Sequence, residues 1–222
     1  MAVTVVEHPL AQHLLTSLRD RGTPPPVFRT LAKRLTLVLV VEAARSLPTE
    51  DISVRTPLEV APGRRIARDL VAVPILRAGL GMLEAVAELL PEMSVGYVGL
   101  ERDDATLEPA SYYEKLPPLE GRQVLLLDPM LATGGSAARA CTSISRRSPA
   151  RILFVCVVAA PEGIARMERD HPDVPIFTAA IDRELNANGY ILPGLGDFGD
   201  RLFGTEPHAG IRAGASSEDE PD

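Results

Sequence analysis

The segment Val124-Leu125-Leu126-Leu127-Asp128 constrains the fold more than any other in this 222-residue chain. Four large apolar residues follow one another and end in a carboxylate, with nothing polar between them to face water. A strand with one wet face alternates, so a run without alternation has to be covered on both faces. Similar runs recur at Val71 to Leu76, Val95 to Leu100, Ile152 to Val158 and Val174 to Ala179. Between them lie stretches with helical spacing: Met82, Leu83, Val86 and Leu89, then Ala137, Ala138 and Ala140, then Pro161 to about Asp170. Strands alternating with helices predict an α/β fold built on a doubly wound, mainly parallel sheet. In such sheets a ligand sits beyond the carboxyl ends of the strands, and that is where chemistry is sought.

The flanks complete this picture. Val3 to Val6 is β-prone, and a helix is expected from about Pro9, with Leu10, Leu14, Leu15 and Leu18 on one face. Pro24-Pro25-Pro26 interrupts it, and a second helix from about Val27 to Arg45 carries Leu31, Leu35, Val38 and Leu39. One domain over residues 1–207 is expected, with a disordered acidic tail over 208–222. Against 23 Lys and Arg stand 30 Asp and Glu, a net charge of −7, which argues against a nucleic-acid partner. No apolar run approaches the ~18 residues of a membrane span. The first residues lack a basic segment followed by an apolar one, so a cytoplasmic protein is expected. Cys141 and Cys156 have no CxxC spacing and read as reduced, buried thiols. His8, His13, His171 and His208 stand at no metal-ligand spacing, so no protein-held zinc is expected.

Glu101 to Leu119 departs from the alternation. It is charged, bears prolines and holds Tyr112-Tyr113. A polar insertion directly after a strand's carboxyl end predicts a lid or β-arm over the site. The two tyrosines could stack on a base or pack the arm onto a neighbouring subunit.

The richest segment is the continuation of the first: Asp128-Pro129-Met130-Leu131-Ala132-Thr133-Gly134-Gly135-Ser136. A buried strand ends in an acid, turns tightly and enters a helix at Thr-Gly-Gly-Ser. Successive amides at such a turn make an anion nest, and the helix N-terminus adds its positive end. Thr133 and Ser136 add hydroxyls, and Gly134 and Gly135 let the backbone close on a ligand. The cradle suits a phosphate monoester, with Asp128 placed to reach the hydroxyls of an attached sugar. Neither G-x-x-x-x-G-K-[ST] nor a Rossmann glycine fingerprint is present.

This segment resembles the phosphoribosyl diphosphate (PRPP) motif of type I phosphoribosyltransferases, and its Asp128-Pro129 start resembles the uracil phosphoribosyltransferase family in particular. Val73-Pro74-Ile75-Leu76-Arg77-Ala78-Gly79-Leu80-Gly81-Met82 resembles that family's pyrophosphate loop. Arg102 with Thr106-Leu107-Glu108-Pro109 resembles its hood arm. Tyr190-Ile191-Leu192-Pro193-Gly194-Leu195-Gly196-Asp197, with Asp200-Arg201, resembles its base-binding end. Together with shorter matches the likeness spans roughly residues 5–205.

The resemblance implies transfer of phosphoribosyl to N1 of uracil, giving UMP and diphosphate. It implies catalytic roles for Asp128, Arg77, Arg102 and Asp197. PRPP would meet Arg77, Arg102, Asp197 and the loop from Asp128 through Pro129, Met130, Leu131, Ala132, Thr133, Gly134, Gly135 and Ser136. Uracil would be read by backbone groups at Ile191, Gly196 and Phe198, with Asp197 beside them. Mg²⁺ is expected, held mainly through PRPP, together with a homodimer or larger homo-oligomer and a GTP effector. Phe198 departs from the Gly-Asp-Ala-Gly-Asp of the bacterial form; its ring either points away or crowds the base. Two other readings stand beside this one: transfer to another nucleobase, and a non-catalytic nucleotide- or RNA-binding regulator on the same fold.

Overall fold

In the computed structural model, residues 2–67, 69–102 and 109–205 are described, the side chains of residues 101, 102 and 109–111 excepted. The chain opens with β1 (Val3–Val5), α1 (Pro9–Arg19), α2 (Pro25–Ala44) and the hairpin β2 (Thr49–Arg55) and β3 (Val60–Ile66). β4 (Leu70–Leu76), α3 (Leu80–Leu89), β5 (Ser94–Val95), β6 (Tyr97–Arg102) and β7 (Pro109–Lys115) follow. Then come β8 (Gln123–Leu127), β9 (Met130–Leu131), α4 (Gly135–Ser145), β10 (Arg151–Val155), β11 (Val158–Ala159) and α5 (Pro161–Asp170). β12 (Ile176–Thr178), β13 (Ala180–Ile181), β14 (Glu184–Leu185), β15 (Ile191–Leu192) and α6 (Phe198–Phe203) complete it.

The central sheet runs β1-β12-β10-β8-β4-β6-β7, with the short β5 also on β4. Its pairings are parallel except β6 with β7. From β4 the chain winds outward through β6 and β7, then returns to β8 and winds the other way through β10 and β12. The switch point therefore lies between β4 and β8, and the crevice beyond their carboxyl ends is the place for a ligand.

Alternation within the apolar strands explains why they are apolar throughout. Leu125, Leu127, Leu153 and Val155 face a core shared with Leu14, Leu18, Phe28, Leu35 and Val86 of α1, α2 and α3. Val124, Leu126, Ile152 and Phe154 face the opposite core, under Ala137, Cys141 and Ile144 of α4 and Met167 of α5. Both faces are dry, as the unbroken runs require. Proline at the first turn of α1, α2 and α5 sits where its missing N–H costs nothing.

Two expected strands are broken. Ile152 to Val158 breaks at Cys156 and Val157, both buried, between β10 and β11. β8, β10 and β12 each continue, after a gap of one or two residues, as β9, β11 and β13 in a second small parallel sheet. Val95 to Leu100 divides at Gly96, whose N–H turns to Ala72 C=O at 3.0 Å. The hairpin β2–β3 has no counterpart in the sequence reading; both its faces are largely wet, and Arg64–Asp51 and Arg65–Glu50 pairs bridge its strands. The expected arm is the antiparallel β6–β7 hairpin, whose tip, residues 103–108, lies outside the described residues, as does the expected tail. Among the described residues no helix is long and apolar enough to cross a membrane.

Candidate active site

Asp128 and Arg77 leave adjacent strands at the switch point. Pro74 of β4 is level with Leu127 of β8, so the acid emerges about one residue beyond the register and the arginine three. The two turns touch through backbone. A Cβ on Gly79 would lie 2.5 Å from the Leu127 carbonyl oxygen and 2.6 Å from that of Ile75, so only glycine allows the Arg77 loop to close on β8. Arg77 itself is exposed at the mouth, and its guanidinium meets no partner among the described residues.

The expected phosphate cradle is built on a strand, β9, not on a free loop. Pro129 C=O accepts from Val157 and Val158 N–H at 2.9 and 3.1 Å, and Leu131 C=O accepts from Ala160 N–H at 2.9 Å. Gly134 then takes φ of 76°, and a Cβ there would meet Gly163 C=O at 2.8 Å. Gly163 in turn lets α5 approach Ala132 and Leu131 C=O, at 2.5 and 2.7 Å from where its Cβ would stand. Glycine faces glycine, and the turn is clamped against the start of α5. Ala138 N–H to Gly134 C=O, 2.9 Å, is the first helical bond of α4, so the amides ahead of it present a positive nest. Thr133 is exposed beside them, and its Oγ1 accepts from Gly135 N–H at 3.4 Å; Ser136 is half-buried.

Asp128 is partly buried and accepts from Met130 N–H at 3.4 Å. Loss of water pushes its carboxyl up to about 7, against the weaker opposing pull of that amide. The carboxylate thus stands without a cation among the described residues, waiting for donors such as sugar hydroxyls. A cavity of about 550 Å³ lies elsewhere, at the amino end of β4 among Glu50, Arg65, Leu89 and Met93. It lies at the opposite end of β4 from Arg77, whereas the turns after β4 and β8 emerge together at the switch point.

The segment expected to bind the base is a turn between β15 and α6. Ile191 is buried in β15, Gly196 is exposed with φ of 79°, and Asp197 caps α6 by accepting from Asp200 N–H at 2.8 Å. Phe198 is 1% exposed and its ring stacks edge-to-face on Phe28 at 5.0 Å. The ring therefore points into the core, and only its backbone reaches the turn. Gly199 approaches Ala78 of the Arg77 loop, and Gly81 of α3 lies under Leu202 and Phe198, so this end packs directly on the turn after β4. Arg102 closes β6 by its backbone; its side chain lies outside the described residues.

Two arginines hold this turn from behind: Arg201, which the resemblance puts in the base-binding end, and Arg19, which the sequence did not point to. Arg19 forks onto Asp182 at 2.6 and 2.8 Å and donates to Gly194 C=O at 2.7 Å. Arg201 donates to Leu195, Leu18 and Asp20 C=O at 2.7, 2.5 and 2.6 Å and lies 4.4 Å over the Phe28 ring.

A doubly wound sheet with an acid-led phosphate turn after one central strand and an arginine turn after its neighbour is the plan of a type I phosphoribosyltransferase. The model of one family, "Uracil phosphoribosyltransferase", matches residues 5–205, and the chain belongs to that family. It is 52% identical to a Dictyoglomus turgidum protein named uracil phosphoribosyltransferase, over 92% of this chain and all of that one. A Bacillus thuringiensis protein of the same name is 50% identical over 91% of this chain and 98% of its own. Among solved structures, the AQ2163 protein from Aquifex aeolicus superposes with a TM-score of 0.89 at 40% identity, over 93% of this chain and 100% of that one.

Proposed function

We propose that this chain transfers the phosphoribosyl group of PRPP to N1 of uracil, giving UMP and diphosphate. The observation that carries the reading is the meeting of an anion nest, a sugar-facing acid and an exposed arginine at one switch point, in a chain of this family.

The roles follow from the chemistry. The 5′-phosphate takes the amides of Gly134 to Ala137 with the Thr133 and Ser136 hydroxyls, while the Pro129 to Ala132 backbone forms the cradle's wall. Asp128 accepts from the ribose hydroxyls, and Arg77 receives the diphosphate. As the C1–O bond breaks, its electron pair leaves with diphosphate; N1 of uracil closes on C1 and gives up its proton. The sugar carries positive charge in between, so catalysis rests on holding both partners, stabilising the leaving charge and excluding water. Arg102 on the arm closes over the leaving group in this reading.

Uracil offers acceptor, donor, acceptor along O2, N3–H and O4. In this reading, backbone groups at Ile191, Gly196 and Phe198 read that order without a charged side chain, and cytosine would set a donor against a donor. Asp197, with one oxygen on its helix cap, is assigned to the PRPP–Mg²⁺ side.

Mg²⁺ belongs to the proposal. Among the described residues no three His, Cys, Asp or Glu side chains gather to hold a metal, and the carboxylates at the crevice, Asp128 and Asp197, fit a cation carried in by the diphosphate. Bound there, Mg²⁺ would neutralise charge on the leaving group. A cytoplasmic homo-oligomer and a GTP effector complete the reading; the wet β2–β3 hairpin, with Leu58 95% and Val60 60% exposed, supports self-association. GTP rests on the family likeness alone, and adding it to the assay tests it. The central test is incubation of the protein with uracil, PRPP and Mg²⁺, with UMP and diphosphate measured together. Equal amounts of both are expected; diphosphate without UMP, or neither, overturns the reading.

A further inference from the structure

Resting on that reading, we infer that the C-terminal turn of α1 is the clamp that sets the base-recognition turn, with Arg19 and Arg201 as its positioning residues. Gly194 and Leu195 stand immediately before Gly196, Asp197 and Phe198; Gly194 is gripped by Arg19 of α1, and Leu195 is tied to the end of α1 through Arg201 of α6. Gly194 gives its N–H to Asp182 Oδ2 at 2.9 Å and its C=O to Arg19 at 2.7 Å. The same Asp182 takes both arms of the Arg19 guanidinium, at 2.6 and 2.8 Å. One ion pair thereby satisfies both polar groups of the Gly194 peptide backbone.

Gly194 has no slack. Its φ is 59°, and a Cβ would fall 2.1 Å from Ile191 C=O, so the turn is wound tightly onto the strand that precedes it. The second grip is Arg201, which joins Leu195 C=O to Leu18 and Asp20 C=O, the residues on either side of Arg19. Its guanidinium is also stacked on Phe28, itself against the Phe198 ring. Side chains thus hold the turn from the core side while its backbone is left to face the base. A planar fork is needed for this: lysine keeps the charge but reaches one oxygen at a time.

A merely structural pair would change stability and leave the two substrates equally affected. A clamp on the base turn moves uracil alone. Arg19→Ala would strand the buried Asp182 carboxylate and endanger folding, so the variant is Arg19→Lys, which keeps the charge. Its Michaelis constant for uracil is expected to rise about tenfold, with that for PRPP within about twofold of the parent at saturating uracil. Arg201→Lys is expected to shift the same way. Wild-type protein that makes no UMP removes the functional reading and the clamp with it. Wild-type protein that makes UMP, with variants in which both constants move together or neither moves, removes the clamp alone.

Discussion

Asp128 holds opposing demands in one side chain. Burial at the end of an apolar strand lifts its carboxyl to about 7, while its proposed contact with the ribose calls for a carboxylate. The folded state therefore binds a proton that the unfolded chain has already released above its ordinary range. That contribution to stability is full at low pH and is lost as pH rises toward and through about 7. Asp128→Asn should melt higher than the parent at pH 8 and yet turn over far more slowly. The parent's kcat/KM for PRPP should climb through pH 7, and this climb, beyond what PRPP's own phosphates produce, should vanish in the variant. Parallel pH profiles would contradict that role. Cys141 and Cys156, both pushed up to about 12 by burial, should resist a thiol reagent in the native protein and react once it unfolds. Phe198 shows where a sequence falls short. Its position beside Asp197 was legible, but its direction depends on Phe28, far away in the chain. Phe198→Leu should lower Tm and leave the ratio of uracil to cytosine turnover unchanged; a shifted ratio would bring the ring back to the base.

Among elements, the phosphate turn was the most legible, because its information is local: an apolar strand, an acid, then Thr-Gly-Gly-Ser. What local reading missed is that the turn leans on α5 through Gly134 and Gly163. The Pro161-Glu162-Gly163 start of α5 carried that signal only once a neighbour was known. Gly134→Ala has to place a side chain at φ of 76° and against Gly163 C=O. The left-handed backbone alone costs roughly 1–2 kcal/mol. Tm should fall by several degrees and the PRPP Michaelis constant should rise, with uracil affected less; unchanged melting and PRPP dependence would show that the glycine contact is slack. The Arg19–Asp182 pair was not legible, since its partners lie 163 residues apart and neither bears a local mark. The β2–β3 hairpin was hidden differently. Ile52 and Val54 do alternate with polar residues, but Pro62, Gly63 and the charges opposite them blur the period.

At the scale of the whole molecule, the order of the strands does the assembling. Because the chain winds away from β4 in both directions, the Arg77 turn and the Asp128 to Ser136 turn, the proposed diphosphate and phosphate sites, emerge side by side, and α6 brings the proposed base turn against the first of them. The exposed hairpin, with Leu58 and Val60 uncovered, is one surface that the proposed assembly would cover. Leu58→Asp, at its tip, should shift the sedimentation or light-scattering mass toward the monomer while the fold persists; an unchanged mass would mean that the tip takes no part in assembly. If backbone amides at the end of this fold choose uracil, kcat/KM for uracil, cytosine, orotate, hypoxanthine and xanthine under identical PRPP and Mg²⁺ will show it. UMP should form from uracil, with cytosine disfavoured by a factor on the order of 10⁴. Comparable turnover of cytosine, or a purine nucleotide as the main product, would contradict it.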